Sequence, residues 1–131
     1  MYFKSSSREI KSCFKENEYN FDAISYLKDL TSLKIINLCE KAELRDDYFP
    51  TGICKATKLR SIQFNGFVFE SFPKRISDLK NLKELDLSNN ALESFTSRIG
   101  DLTELITINM ANNKINAIPS RIGDLGKLET L

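Results

Sequence analysis

The chain is 131 residues long, and its 19 basic residues nearly match its 18 acidic ones, leaving a net charge of +1. That balance excludes a global field steering the protein toward nucleic acid or an anionic membrane, so neither is expected as a partner. Histidine is absent, which removes the commonest general base and a frequent metal ligand, and with them any Ser-His or Cys-His dyad.

The opening stretch from Met1 to Glu9 lacks the continuous apolar core of a secretory leader, and no apolar run approaches the length of a membrane span. The chain as it stands is expected to be soluble and cytoplasmic, or secreted or surface-exposed if a leader has been removed. Ser6-Ser7-Arg8-Glu9 has the form of a capping box, and Ile10, Cys13 and Phe14 then fall at i, i+3 and i+4. This predicts an N-terminal helical cap over residues 1–22. A second helical run, Phe21, Ile24, Leu27 and Leu30, leads into a repeat domain over 23–131. Cys13, Cys39 and Cys54 follow no metal-ligand spacing and, being odd in number, cannot all pair within one chain, so they are expected to be reduced, small apolar side chains.

From there a phrase recurs: Leu59, Leu82, Leu105 and Leu128 each open it, 23 residues apart. It reads Leu82-x-x-Leu85-x-Leu87-x-x-Asn90-x-Leu92, then Leu105-x-x-Ile108-x-Met110-x-x-Asn113-x-Ile115. A fixed step of this size announces a solenoid of stacked units. Each unit joins an apolar period of three, as in Phe72-Pro73-x-x-Ile76-x-x-Leu79, to an alternating stretch that reads as a short strand. Pro73 and Pro119 mark where convex segments begin, since proline fixes φ and needs no backbone donor. Over roughly residues 24 to 131 the pattern resembles the leucine-rich repeat family. The resemblance implies an α/β fold: a right-handed leucine-rich repeat solenoid of about four repeats, with a curved parallel sheet on the concave face, short helices or turns on the convex face, and no C-terminal cap. Phe-Pro or Ile-Pro followed by Ile-Gly-Asp-Leu is similar to bacterial leucine-rich repeat proteins of the surface or secreted type, and also to cytosolic signalling scaffolds.

Toward the N-terminus, Leu59-x-x-Ile62-x-Phe64 is in register, and Leu33-x-x-Ile36-x-Leu38 reads as a further copy displaced by 26 residues, with the charged run 40–48 as the host of the insertion. The pleat sends alternate side chains to opposite faces. The concave columns are therefore expected to be Asn37, Gln63, Asp86 and Asn109 at the centre, Ile35, Ser61, Glu84 and Thr107 on one side, and Cys39, Asn65, Ser88 and Ala111 on the other. Asn90 and Asn113 hold the repeat asparagine, expected to satisfy backbone groups where the strand turns away. Phe67 and Lys41 stand at that place in earlier units, and Phe67, if exposed, would be an interface hot spot. Arg75, Arg98 and Arg121 align on the convex side with Asp78, Asp101 and Asp124, which reads as a solvated ion-pair ladder. Ile122, Leu125, Leu128 and Leu131 have no following repeat to cover them, so a homodimer through this C-terminal edge is expected to compete with simple exposure.

The resemblance implies a non-catalytic module that binds another protein through the concave sheet, using Asn37, Gln63, Asp86, Asn109, Ser61, Glu84, Thr107 and Asn65, with no cofactor or metal. Two alternatives stay open: the recognition arm of a larger effector enzyme, and a self-assembling structural or adhesion protein using the C-terminal edge.

Overall fold

Apolar residues spaced by three, as in Ile76-x-x-Leu79-x-x-Leu82-x-x-Leu85, suit a 3-10 turn, whose three residues per turn stack i and i+3 on one side. The computed structural model of the chain describes residues 7–12, 29–38, 51–67, 72 and 74–131, and it places short 3-10 segments at Thr51–Lys55, Lys74–Asp78, Ser97–Asp101 and Ser120–Asp124. Cys13, Phe14, Phe21, Ile24, Leu27, Cys39, the run 40–48, Val68, Phe69 and Pro73 lie outside the described residues.

Each convex segment closes with the same bonds. Leu79, Leu102 and Leu125 donate their amides to the carbonyls of Ile76, Ile99 and Ile122, and Leu82, Leu105 and Leu128 donate to those three leucines in turn, all at 3.0–3.1 Å. The chain then enters a strand. Among the described residues the strands are β1 (Ser7–Ser12), β2 (Ser32–Asn37), β3 (Ser61–Asn65), β4 (Glu84–Asp86) and β5 (Thr107–Asn109), and they form one sheet in the order β1-β2-β3-β4-β5. All adjacent pairs are parallel, and Thr107 makes one further parallel bridge to Thr130. Crossover segments on one face of a parallel sheet are what the doubled period requires, since parallel strands cannot be joined by tight hairpins. The core lies between sheet and convex turns, with Leu59, Ile76, Leu79, Leu82, Leu87, Ile99, Leu102 and Leu105 inaccessible to solvent.

Two expectations are corrected here. Ser7–Ser12 is a strand, paired residue for residue with Ser32–Asn37, and not the start of a helical cap. A capping box and one helical face are local signals, and a short isolated helix is marginal in water. Adding a strand instead satisfies the exposed backbone edge of β2. The second correction is the frame of β2. Ser32 pairs with Ser61 and Leu33 with Ile62, so equivalent residues are 29 apart, not 26. The phrase is Leu30-x-x-Leu33-x-Ile35, and those three side chains are buried while Leu38 is 66% exposed. Leu33 suits the first or the fourth place of the phrase equally, and an odd register shift exchanges the two faces of a strand.

Gly100 and Gly123 occupy equivalent places with different neighbours. A β-carbon on Gly100 would lie 2.7 Å from the Arg121 carbonyl oxygen, whereas at Gly123 it would meet nothing within 4 Å. Gly100→Ala is therefore expected to lower stability by about 1–3 kcal/mol through overpacking, while Gly123→Ala stays within about 0.5 kcal/mol of the parent. Urea unfolding of the two variants checks this, and equal losses would show that the convex turns do not abut as described.

Candidate partner-binding face

The observed register defines the outward columns of the sheet. The central one runs Glu9, Lys34, Gln63, Asp86 and Asn109, and beside it stand Ser7, Ser32, Ser61, Glu84, Thr107 and Thr130. The third column carries Ile36, Asn65, Ser88 and Ala111. Gln63, Asp86, Asn109, Ser61, Glu84 and Thr107 thus share one surface. They line a shallow depression of about 210 Å³ over β3, β4 and β5, below the usual size of a small-molecule pocket.

Asn37 does not belong to this surface. The frame of β2 turns it inward at 7% exposure, and its Nδ2 donates to the Gly66 carbonyl at 2.9 Å. Lys34 takes the central place and Ile36 the third column instead. Recognising Leu30 as the opening leucine would have revealed both.

A polar network stiffens the middle of the face. Asn65 Nδ2 donates to the Ser88 carbonyl at 2.7 Å, to Ser88 Oγ at 3.2 Å and to Asp86 Oδ1 at 3.3 Å. Asp86 Oδ1 also accepts from Ser88 N at 2.9 Å and Ser88 Oγ at 2.6 Å, and Gln63 Nε2 donates to Asn65 Oδ1 at 2.7 Å. Asn65, 8% exposed, therefore spends its amide inside the network, and Asp86 is held in one orientation by several fixed donors.

Phe67 is not an exposed anchor. It is 1% exposed, its ring stacks on Phe64 at a centroid distance of 4.0 Å, and its backbone N–H donates to Asn90 Oδ1 at 2.9 Å. An aromatic ring at the asparagine place finds more free energy in the core than in water, because Phe64 offers it a stacking surface. Asn90 Nδ2 donates to the carbonyls of Phe64 and Leu87, both at 2.7 Å, and Asn113 Nδ2 donates to those of Leu87 and Met110 at 2.8 and 2.9 Å. Each asparagine thus ties its own unit to the preceding one. Of the C-terminal apolar residues, Leu125 is 5% exposed and Ile122 and Leu128 pack partly on the core, while Leu131 is 57% exposed.

On the convex side Asp101 receives Arg121 Nη2 at 2.8 Å and Arg98 Nη1 at 3.2 Å, and Arg121 Nε reaches Asp124 at 3.1 Å. These bonds, first that from Arg121, hold the Asp101 carboxyl below its ordinary pKa. Lys127, 2.8 Å from Glu104, does the same for Glu104. Both groups are more acidic folded than unfolded, so their stabilising contribution is present above the ordinary carboxylate pKa and is lost as pH falls through their folded values. Stability is expected to drop between about pH 7 and about pH 3, and to drop less in Asp101→Asn, as measured by urea unfolding at the two pH values. Cys54 is buried, and desolvation pushes its thiol up to about 11, with Arg75 opposing and Asp78 adding to the shift. It stays a neutral, inert thiol at physiological pH.

Parallel strands repeated at a fixed step, convex 3-10 turns and an asparagine between units define a leucine-rich repeat solenoid. A family model described as a leucine-rich repeat region matches residues 10–131, and the chain belongs to that family. Among solved structures it is similar to a leucine-rich repeat protein of Leptospira interrogans, with 26% identity over 91% of this chain and 29% of that one and a TM-score of 0.75. It also resembles the leucine-rich repeat ectodomain of the receptor kinase SOBIR1 from Arabidopsis thaliana, with 23% identity, 90% and 64% coverage and a TM-score of 0.67. A third likeness is to InlP of Listeria monocytogenes, with 20% identity, 78% and 27% coverage and a TM-score of 0.59. The chain spans less than a third of the Leptospira protein's length. No curated protein matches it in sequence. Leucine-rich repeat domains commonly mediate protein–protein interaction. Among the described residues, no helix is long and apolar enough to cross a membrane.

Proposed function

We propose that this chain is a non-catalytic recognition module that takes a partner protein against the outward, concave face of its sheet. The observation carrying this reading is the ordered polar surface over β3, β4 and β5, where Gln63, Asp86, Asn109, Glu84, Ser61 and Thr107 line one shallow depression. A flat array of fixed amides, hydroxyls and carboxylates suits directional hydrogen bonding to a polypeptide, and the network behind Asp86 lowers the cost of ordering it on binding. The test is crosslinking capture from native lysate and spent medium, comparing the parent with a variant carrying Gln63→Ala, Asp86→Ala and Asn109→Ala whose folding is verified by circular dichroism. A partner captured by the parent and lost from the folded variant supports the reading, and one retained equally by both overturns it.

A further inference from the structure

We propose that a basic belt on the two units from Thr51 to Leu85, running from their convex turns to the entry of β3 and β4, docks an acidic segment of a partner protein; this contact is separate from the concave face. The near-zero net charge of the whole chain conceals an uneven distribution. Residues 51–85 carry seven lysines and arginines against three carboxylates, Glu70, Asp78 and Glu84, whereas residues 86–131 carry four against six. All seven of those cations are exposed. Lys58 is held by Asp29 at 2.7 Å and Arg75 by Asp78 at 3.3 Å. Lys55, Arg60, Lys74, Lys80 and Lys83 have no described carboxylate within 4.0 Å.

The fold gathers these cations. Lys55 closes one convex segment and Lys74 opens the next, and the chain passes from them through Lys58 and Lys80 to Arg60 and Lys83, just ahead of β3 and β4. The two units are locked side by side there, since Lys83 N donates to the Arg60 carbonyl at 2.8 Å and Asn81 Nδ2 donates to the Thr57 carbonyl at 2.9 Å. Arg60 and Lys83 therefore stand about 4.8 Å apart at the backbone, like charge beside like charge, which costs stability. Other unit boundaries do the opposite, pairing Lys58 with Asp29, Arg121 with Asp101 and Lys127 with Glu104. Arg60 also departs from the later arginines, because Arg75, Arg98 and Arg121 each hold a carboxylate. Carboxylates brought by a partner offset this repulsion and complete the pairing that the chain leaves open. No described aromatic ring is exposed on the belt to stack on a nucleic-acid base. The occupant is a run of aspartate or glutamate side chains on a polypeptide, the class of partner that leucine-rich repeat domains commonly take.

The probe is the peptide acetyl-Gly-Glu-Glu-Glu-Glu-Gly-amide, titrated at low salt into the isotope-labelled chain and followed by amide chemical shifts. Shifts centred on Arg60, Lys80 and Lys83 are expected, and salt at about 0.5 M is expected to remove them. Arg60→Glu combined with Lys83→Glu changes only exposed side chains and is expected to weaken binding about ten-fold. Lys34→Glu combined with Lys114→Glu removes the same charge elsewhere and is expected to weaken it less than about two-fold. Absence of shifts at the belt, or equal weakening by the two double variants, overturns the proposal. Tighter binding of a sulfated disaccharide of the same charge overturns the choice of a polypeptide. The folded variant carrying Gln63→Ala, Asp86→Ala and Asn109→Ala is expected to bind the peptide as the parent does, so the belt and the concave reading stand or fall separately; loss of binding in that variant would place the peptide on the concave face and overturn the belt.

Discussion

Asn90→Ala is expected to lower the unfolding free energy by about 3 kcal/mol, since it strips partners from three partly buried backbone groups at once. The amide of Asn90 donates to the carbonyls of Phe64 and Leu87, and its oxygen accepts from the Phe67 N–H. Two of those groups belong to the preceding unit, so the loss falls on the contact between units as well as on the turn. Asn90→Asp keeps the acceptor but sets an anion against two carbonyl oxygens, and it is expected to cost at least as much. Asn116→Ala, on an exposed side chain, serves as the control and should stay within about 0.5 kcal/mol. Urea unfolding measures all three. A loss below about 1 kcal/mol for Asn90→Ala would mean that water takes over the vacated bonds.

Gly66→Ala carries the other large effect. Gly66 sits at φ +83°, where a side chain is strained whatever the space around it. Its added β-carbon would also lie 2.6 Å from the Asn37 carbonyl oxygen and 3.3 Å from the Asn37 β-carbon. Strain and contact together are expected to cost about 3 kcal/mol. Asn89 and Asn112 hold the same place in the next two units at φ 59° and 58°, because asparagine tolerates the left-handed region better than other side chains. Asn89→Gly is therefore expected to change stability by less than about 1 kcal/mol. Thermal midpoints of the two variants decide the matter; if Gly66→Ala melts with the parent, β2 and β3 do not meet as closely as described.

The units from Leu59 onward were legible in the sequence because each copy confirms the frame of its neighbours. Gln63, Asp86, Asn109, Ser61, Glu84 and Thr107 reach one face for that reason alone. β2 offered no such check: Leu30, Leu33 and Ile35 make one valid phrase, and Leu33, Ile36 and Leu38 make another. Which is used depends on pairing with β3 and on the burial of Asn37 against Gly66, neither of which is local. The same holds for Ser7–Ser12, whose capping-box pattern gives way to a sheet edge contributed by residues 25 positions further on. Phe67 was ambiguous for a different reason, since its burial rests on Phe64 lying beneath it and on Asn90, one unit later, capping its amide.

The bonds that bind one unit to the next have a mechanical side. Arg121 to Asp101, Lys127 to Glu104 and Asn113 to the Leu87 carbonyl all cross a single boundary between adjacent units. Under tension applied along the stacking axis, such boundaries give way one after another, and the solenoid behaves as a ratcheted tether. Each unit that lets go releases roughly 80 Å of extended chain while those behind it keep their shape.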